Sequence, residues 1–226
     1  MTNAGVAGRR YVVTGSASGI GAATAAILRR RGGEVIGCDL DDADIRADLS
    51  TPDGRRALVE QVHEFGSVDA VLAIAGGGRT GLIETNYFGA VATLEGLRPL
   101  LAQSDAPRAV VVSSTSSLAP ADELVMRACL DGDEAAAVTA IAASPSGGGE
   151  AGAYGVAKRA LNRWVRTAAP NIRVGRGRYR PQRRRFRCRR HARGRVDLRE
   201  RRGPHRGGNR CTATVRRLSR AAGVGR

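Results

Sequence analysis

Tyr154 and Lys158 are the side chains of this 226-residue sequence whose types and spacing best suit proton transfer. They stand four residues apart in YGVAK, which places both on one face of a helix. A free phenol has a pKa of about 10, and a neighbouring ammonium lowers that pKa by favouring the phenolate. Lys158 is also the only lysine beside 36 arginines, which suggests a chemical need for an ammonium. The pair predicts a general acid/base, although this spacing alone is also typical of an exposed helix face.

A glycine-rich turn, TGSASGIG at 14–21, follows the first apolar run. Gly15 permits a tight turn, Gly19 a close approach of backbone to a pyrophosphate, and Gly21 close packing of helix on sheet. The helix that begins here offers free N–H groups to phosphates. The residues of this turn that are expected to bind the cofactor are Gly15, Ser18, Gly19, Ile20 and Gly21.

Asp39 ends the second apolar run, 18 residues after Gly21. A carboxylate at this place accepts hydrogen bonds from the ribose hydroxyls of a dinucleotide and repels a 2′-phosphate. We therefore expect NAD rather than NADP as cofactor. The alternatives are an ordinary strand-to-helix turn and a helix-capping aspartate.

Apolar runs alternate with stretches of helical period through the first three quarters of the chain. Strands are predicted at 11–14, 34–39, 45–50, 68–76, 108–114 and 171–174. Helices are predicted at 19–32, 52–65 (capped by Ser50 or Thr51), 84–103, 121–143 and 154–169, with a flexible loop at 145–153. Apolar strands that alternate with helices predict an α/β fold, a doubly wound parallel sheet of the Rossmann type.

Five motifs occur in an order that resembles the short-chain dehydrogenase/reductase family: TGSASGIG, IAG (74–76), TNYFGA (85–90), VVVSS (110–114) and YGVAK. The resemblance covers residues 9–174. It implies that Ser114 orients the substrate carbonyl and that Tyr154 exchanges a proton with its oxygen. It further implies that Lys158 binds the nicotinamide ribose and that Asn86 holds a water of the proton relay.

The same resemblance extends the cofactor site. Asp48 and Leu49 resemble the pair that contacts adenine, and Ala75 and Gly76 resemble the turn beside the cofactor ribose. Tyr154 and Lys158 also belong to the expected cofactor contacts. The family's usual NAG reads IAG here, so the asparagine contribution is absent at position 74.

An enlarged segment separates Ser114 from Tyr154, with 39 residues between them. Together with VIGCDL, ETNYFGA and VVVSSTSS, it resembles the bacterial 3α-hydroxysteroid dehydrogenase/carbonyl reductase group. In that group the segment flanks the substrate cleft and alters the subunit interface; the alternative is a plain surface elaboration. The resemblance implies an NAD-dependent oxidoreductase that interconverts a secondary alcohol and a ketone, with a hydroxysteroid or carbonyl compound as substrate.

The net charge of +16 comes from the C-terminal segment. Residues 1–172 hold 16 basic and 19 acidic side chains, whereas 173–226 hold 21 arginines and two acids. Apolar periodicity also stops after Val174. We therefore predict a catalytic domain at 1–174 and a disordered, arginine-rich tail at 175–226.

Three explanations compete for the tail. A frameshift after Val174 is favoured, because the expected Pro-Gly turn and later strand are missing; the chain should then be catalytically compromised. The second is a basic arm of a nucleic-acid-binding or nucleotide-sensing protein. The third, a natural domain end with an unusual substrate half, is the least favoured.

Four scattered cysteines fit reduced thiols of a cytosolic protein. Cys188, His191, His205 and Cys211 do not match zinc-finger spacing, so no metal site is predicted. No run approaches membrane-spanning length, and we expect a cytoplasmic protein without a membrane partner. A homo-oligomer is expected if the C-terminus is intact.

Overall fold

The computed structural model describes residues 5–77, 81–144, 150–168, 187–190 and 196–199. The chain divides into two compact units, Met1–Tyr179 and Arg180–Arg226, and each is described by itself. The first contains the predicted catalytic domain. No helix in the described ranges is both long and apolar enough to cross a membrane.

The first unit is built on a sheet of five parallel strands. The strands are β1 (Arg10–Thr14), β2 (Glu34–Asp39), β3 (Ile45–Arg46), β4 (Ala70–Ala73) and β5 (Arg108–Val111), in the order β3-β2-β1-β4-β5. The central β1 pairs Val12 with Ile36 on one side and with Val71 on the other. All three of these side chains are buried, as expected for a parallel sheet covered on both faces.

Helices cover both faces of this sheet, so the predicted doubly wound fold is confirmed. They are α1 (Gly19–Arg30), α2 (Pro52–Glu64), a π-helix (Glu84–Gly89), α3 (Ala90–Gly96), α4 (Arg98–Leu101), a 3₁₀-helix (Thr115–Leu118), α5 (Glu123–Asp131), α6 (Glu134–Ala143) and α7 (Glu150–Ala168). Val12 packs into a large core that includes Leu161 of α7. Val13, which points to the opposite face, packs into a smaller core with Ala25 of α1.

The start of α2 agrees with the sequence prediction. Thr51 is the N-cap, and its hydroxyl accepts a hydrogen bond of 3.0 Å from the Gly54 N–H. Pro52 occupies the first turn, where its missing N–H leaves no hydrogen bond unmade. This cap fixes the turn between β3 and α2, which carries Asp48 and Leu49.

The helix predicted over 84–103 is divided into three parts. Glu84–Gly89 is a π-helix, and the α-helical path is interrupted again at Leu97. Pro99 lies in the first turn after that interruption, where a residue without an N–H is tolerated. The strands at 45–50, 68–76 and 108–114 are also shorter than predicted, because their ends leave the sheet for the connecting turns.

The segment predicted as helical over 121–143 is a pair of helices, α5 and α6. Gly132 ends α5 in the left-handed region at φ 79°. Asp133 then caps α6 through a hydrogen bond of 2.9 Å from the Ala136 N–H. A left-handed glycine followed by a capping aspartate is a strong signal for a helix end and a new start.

Part of the loop predicted over 145–153 is helical instead. Helix α7 already begins at Glu150, and Ala153 is buried in the large core. Burial of this side chain extends the helix beyond the boundary that the glycine-rich composition suggested. The remaining loop residues 145–149 and the sixth strand predicted at 171–174 lie outside the described residues.

In the second unit, eight residues form two antiparallel strands, β6 (Arg187–Arg190) and β7 (Val196–Arg199). Their register places Cys188 opposite Leu198 and Arg189 opposite Asp197. The other residues of the segment 175–226, which was predicted to be disordered, lie outside the described residues, and that prediction stays untested. Three members of the zinc set considered and rejected in the sequence, His191, His205 and Cys211, lie outside the described residues.

Candidate active site

The glycine turn joins β1 to α1 at the carboxyl end of the sheet. Gly15 has φ 72°, and a Cβ on it would lie 2.9 Å from the Cα of Ala75. A Cβ on Gly21 would lie 1.8 Å from the Gly15 carbonyl oxygen, so the helix start packs directly on the turn. The Gly15 contact brings the glycine turn and the turn after β4 together.

The outer side of this turn is open. A Cβ on Gly19 would meet no atom within 4 Å, and the side chain of Ile20 is 63% exposed. Ser18 is the N-cap of α1, but its hydroxyl makes no capping hydrogen bond. The residues present therefore fit a phosphate-bearing dinucleotide, because backbone N–H groups of a helix start face free space.

Asp39 lies beside the glycine turn at the end of β2. Its carboxylate accepts hydrogen bonds of 2.8 Å from the N–H groups of Ala17 and Leu40. The Gly15 N–H also binds the Cys38 carbonyl at 2.8 Å, which holds the turn and the end of β2 together. The carboxylate is thus fixed at the place where a ribose hydroxyl could reach it.

Thr14 is a site residue that the sequence analysis missed. Its hydroxyl is buried and accepts hydrogen bonds of 3.0 Å from the N–H groups of both Ile74 and Ala75. The turn after β4 is therefore held although position 74 lacks the family's asparagine. A buried threonine at the carboxyl end of β1 was the available signal.

Asp48 and Leu49 lie on the turn before α2. The Asp48 carboxylate accepts hydrogen bonds from the Ser50 N–H at 2.9 Å and from the Ser50 hydroxyl at 2.7 Å. The Leu49 side chain is buried in the large core. Any ligand contact of Leu49 would therefore come from its main chain.

Asn86 lies in the π-helix and is fully buried. Its amide nitrogen donates a 2.9 Å hydrogen bond to the Leu82 carbonyl, whereas its Oδ1 has no hydrogen-bond partner among the described residues. A Cβ on Gly76 would lie 2.5 Å from this Oδ1 and 3.5 Å from Lys158 Nζ. Asn86, Gly76 and Lys158 therefore meet at one point, and π-helical turns are frequent at functional sites.

Lys158 and Tyr154 lie on the same face of α7, as the spacing predicted. Lys158 Nζ lies 5.6 Å from the centroid of the Tyr154 ring and donates a 3.0 Å hydrogen bond to the Val112 carbonyl. The lysine is only 3% exposed, and burial lowers its pKa to about 8. A buried ammonium with a lowered pKa beside a phenol is characteristic of functional sites.

Ser114 stands at the N-cap of the 3₁₀-helix that packs against α7. Its hydroxyl accepts from the Ser116 N–H at 3.2 Å, and its carbonyl accepts from the Ser117 hydroxyl at 2.6 Å. Asn162 of α7 donates to the same Ser117 hydroxyl at 2.9 Å. Together with the bond from Lys158 to Val112, this ties Ser114 to the helix that carries Tyr154.

The Asn162 side chain and the backbone carbonyl of Val112 are further groups of the site that the sequence analysis missed. Asn162 follows Lys158 by four positions, so its place on the same helix face was a possible signal. The Val112 contact is made by a backbone oxygen, which no residue type announces.

An apolar cavity of about 250 Å³ lies between α6, the start of the π-helix and α7. Its lining residues are Gly81, Leu82, Ile83, Glu84, Val138, Ile141, Ala142 and Ala153. None of the four predicted catalytic residues is among them. The enlarged segment therefore contributes apolar surface beside the helix that carries Tyr154.

No protein-family model matches the sequence. Among curated proteins, the 3-alpha-hydroxysteroid dehydrogenase/carbonyl reductase of Comamonas testosteroni is 36% identical over 166 residues. The match covers 70% of this chain and 65% of that protein.

Two solved structures are also similar to this chain. The 3-alpha-hydroxysteroid dehydrogenase from Pseudomonas sp. B-0831, complexed with NADH, is 39% identical with a TM-score of 0.67, over 72% of this chain and 66% of that one. A metagenomic short-chain oxidoreductase in complex with NADP is 21% identical with a TM-score of 0.56, over 74% and 77% of the two chains, and shows the fold alone.

The chain thus spans just under two thirds of the length of the two hydroxysteroid dehydrogenases that it matches. Within that span, one Rossmann fold carries the glycine turn, the acid at the end of β2 and the helix with Tyr154 and Lys158. Sequence and fold together show that the chain is similar, over this span, to these hydroxysteroid dehydrogenases.

Proposed function

We propose that this protein is an NAD(H)-dependent oxidoreductase that interconverts a secondary alcohol and a ketone. The observation that carries the proposal is the meeting of Asn86, Gly76 and Lys158 beside Tyr154. Ser114 is tied to the same helix through Ser117. A proton-transfer group thus stands at the carboxyl end of a sheet whose glycine turn fits a dinucleotide.

NAD rather than NADP is the proposed cofactor. The Asp39 carboxylate, held by two backbone N–H groups, offers acceptors to ribose hydroxyls and repels a 2′-phosphate. The related Pseudomonas dehydrogenase was solved with NADH, which agrees with this choice.

In the proposed reaction the bound nicotinamide supplies or removes the hydride. Tyr154 exchanges a proton with the substrate oxygen, and Ser114 donates a hydrogen bond that orients that oxygen. The Lys158 ammonium stabilises negative charge on the phenol oxygen. Asn86 Oδ1, which has no partner among the described residues, can accept a hydrogen bond from a water of the proton relay.

A hydroxysteroid or a related carbonyl compound is the proposed substrate class. The support is the 36% identity to the Comamonas enzyme, whose name carries both activities. Helix α6 of the enlarged segment adds Val138 and Ile141 to an apolar cavity near α7. Such surface suits a large apolar skeleton better than a small polar alcohol.

The test is ketone-dependent oxidation of NADH by the full chain, with a keto-steroid and a simple aromatic ketone as substrates. Enzyme should be used at concentrations near those of the substrate, because we expect the C-terminal segment to lower the rate. Oxidation that depends on both ketone and protein supports the proposal. Saturable NADH binding without any ketone-dependent oxidation would contradict it.

We further propose that a frameshift after Val174 produced the arginine-rich segment and that it impairs catalysis. Support comes from composition: 21 arginines and two acids follow a body with a net negative charge. The test is translation of the coding DNA in the other two forward frames beyond codon 174. The absence of a Pro-Gly turn and of a strand-like C-terminus in both frames would refute the frameshift.

The same arginines favour a second function, a nucleic-acid-binding or nucleotide-sensing protein on a dinucleotide-binding fold. The grouping of Tyr154, Lys158 and Asn86 counts against it, because a sensor needs no proton relay. Filter binding of duplex DNA at moderate salt distinguishes the two: tight, salt-sensitive binding without ketone reduction would favour the second function.

A further inference from the structure

A partly buried ion pair connects the enlarged segment to the nucleotide-binding half of the fold. Arg55 of α2 donates to Glu134, the first residue of α6, through Nη1–Oε2 at 2.7 Å and Nη2–Oε1 at 2.5 Å. The two side chains are only 10% and 26% exposed. Such a pair adds little net stability by itself, because the cost of desolvating the charges offsets their attraction. Its contacts instead favour a role in positioning the neighbouring turn.

The other donors of Arg55 hold the turn before α2. Nε donates to the Leu49 carbonyl and Nη2 to the Ser50 carbonyl, both at 3.0 Å. Ser50 in turn donates its N–H and hydroxyl to the Asp48 carboxylate. One guanidinium therefore fixes the backbone of the turn and, through Ser50, the acid on it.

This turn has little room to move. A Cβ on Gly81 would lie 2.8 Å from the Ser50 Cβ, and a Cβ on Gly89 would lie 3.0 Å from the Leu49 carbonyl oxygen. The Arg55 guanidinium also lies 5.9 Å from the ring centroid of Phe88 in the π-helix. The turn is thus enclosed between α2 and the π-helix, and Arg55 is the contact that connects it to α6.

We propose that Arg55 is a positioning residue for the adenine-binding turn and that Glu134 holds Arg55 in place. The enlarged segment, expected to serve the substrate side, thereby supports the adenine half of the cofactor site. This inference rests on the proposed function, in which the turn at Asp48 and Leu49 contacts adenine.

Two variants test the inference, Arg55→Lys and Glu134→Gln. The first loses the bidentate pairing and the bond to Leu49, while the second keeps the size of the side chain and removes only its charge. Arg56→Lys is the matched control, because Arg56 is an exposed neighbour on α2 that pairs only with Asp53 and Glu60 among the described residues.

The readouts are the Kd of NADH, by fluorescence titration, and the Kd of ADP, which carries only the adenylate half, by displacement of NADH. We expect Arg55→Lys to raise both Kd values by about tenfold and Glu134→Gln by about threefold, the scale of one or two lost hydrogen bonds. Arg56→Lys should leave both unchanged. Circular dichroism shows whether each variant folds. If Arg55→Lys does not fold, Glu134→Gln alone carries the test.

Each of the following results would overturn the inference. Unchanged Kd values with a lowered Tm would make the ion pair merely structural. Weaker NADH binding with unchanged ADP binding would show that the effect does not pass through the adenine-binding turn. If the native chain binds neither ligand, the proposed function fails as well, whereas native binding with unaffected variants refutes only the role of Arg55.

Discussion

Two regions lie at the same edge of one sheet but are built differently. One is the glycine turn, and the other is the Lys158 cluster, formed by Lys158, Asn86, Gly76 and Tyr154. Around the glycine turn, the polar groups have protein partners: Asp39 binds two N–H groups, and Thr14 binds two more. In the Lys158 cluster, the buried Oδ1 of Asn86 lacks a partner in the described structure, and the ammonium is desolvated. Around the glycine turn these supporting groups are paired and the free N–H groups at the start of α1 are exposed, whereas in the Lys158 cluster the unpaired acceptor is buried.

This difference indicates where the chemistry takes place. A buried acceptor without a partner costs stability, so its presence points to a group, such as water or substrate, that completes the site. Because the supporting polar groups around the glycine turn are already paired, mutations there should change the shape of the turn and the affinity for the cofactor. Mutations in the Lys158 cluster should change the rate of ketone reduction and the dependence of stability on pH.

The largest expected effect is that of Tyr154→Phe on ketone reduction. Loss of the phenol hydroxyl removes the proton donor, and the rate should fall by about 10²–10⁴-fold. NADH binding should remain, because the ring and Lys158 stay in place. The measurements are NADH oxidation with ketone and NADH fluorescence titration.

Tyr11→Phe is the control for this variant. Tyr11 lies in β1, outside the site, and its hydroxyl makes only a long 3.5 Å contact with the Val6 carbonyl. Its rate should equal that of the native chain. Activity retained by Tyr154→Phe would remove Tyr154 from the proposed role.

Gly21→Ala should disturb the support itself. The new Cβ would lie 1.8 Å from the Gly15 carbonyl oxygen, so α1 must shift away from the turn. We expect a loss of roughly 3 kcal/mol in the free energy of unfolding and of measurable NADH binding. Urea denaturation and NADH titration provide the two measurements.

Gly132→Ala separates this steric effect from backbone strain. Gly132 has φ 79°, but its Cβ position is open, so only about 1 kcal/mol of strain is expected, with NADH binding intact. Equal effects of the two glycine variants on NADH binding would show that the glycine turn has no special role.

Much of the support was predictable from the sequence, because its features leave local signals. The glycines of 14–21, the acid at the end of β2 and the Thr51–Pro52 helix start are such signals, and the structure places each as expected. The order of strands and helices followed from their apolar patterns. The pair Gly132-Asp133 is also a local signal for a helix break, although the segment was predicted as one helical stretch.

The rest depends on contacts between distant parts of the chain. The π-helix that places Asn86, the Val112 carbonyl that accepts from Lys158 and the Arg55–Glu134 pair join residues across the fold. No local residue pattern encodes these contacts. Tertiary packing also moved the start of α7 to Glu150, ahead of the boundary predicted from glycine composition.

The desolvation of Lys158 predicts a pH effect on stability. Because burial lowers its pKa from 10.5 to about 8, the folded chain holds fewer protons than the unfolded chain between these values. The cost of the buried ammonium is therefore present below pH 8 and is relieved as the pH rises. Relative to Lys158→Met, the native chain should gain roughly 2 kcal/mol in the free energy of unfolding between pH 8 and 10.

The difference between the two proteins is the quantity to measure, by urea denaturation at several pH values. Burial raises the pKa of the Cys38 and Cys129 thiols to about 12, which lowers stability with rising pH in both proteins and cancels in the difference. A difference that stays flat or falls with pH would contradict a desolvated ammonium at position 158.

The smallest of these effects concerns cofactor choice. Asp39→Asn removes the charge that repels a 2′-phosphate, and the preference for NADH over NADPH should fall about tenfold. Asp41→Asn, at an exposed neighbouring acid, should leave the preference unchanged. The measurement is the ratio of the two Kd values, and an unaltered ratio in Asp39→Asn would refute the assigned role of that carboxylate.

The most direct test of the account is a fluorescence titration of the native full chain with NADH and with NADPH. It needs no turnover, so a reaction rate lowered by the arginine-rich segment does not affect the result, and moderate salt suppresses phosphate binding by that segment. We predict saturable binding of NADH that is about tenfold tighter than that of NADPH. Equal or tighter binding of NADPH, or no saturable binding of either, would contradict the assignment of this edge of the sheet as an NAD site.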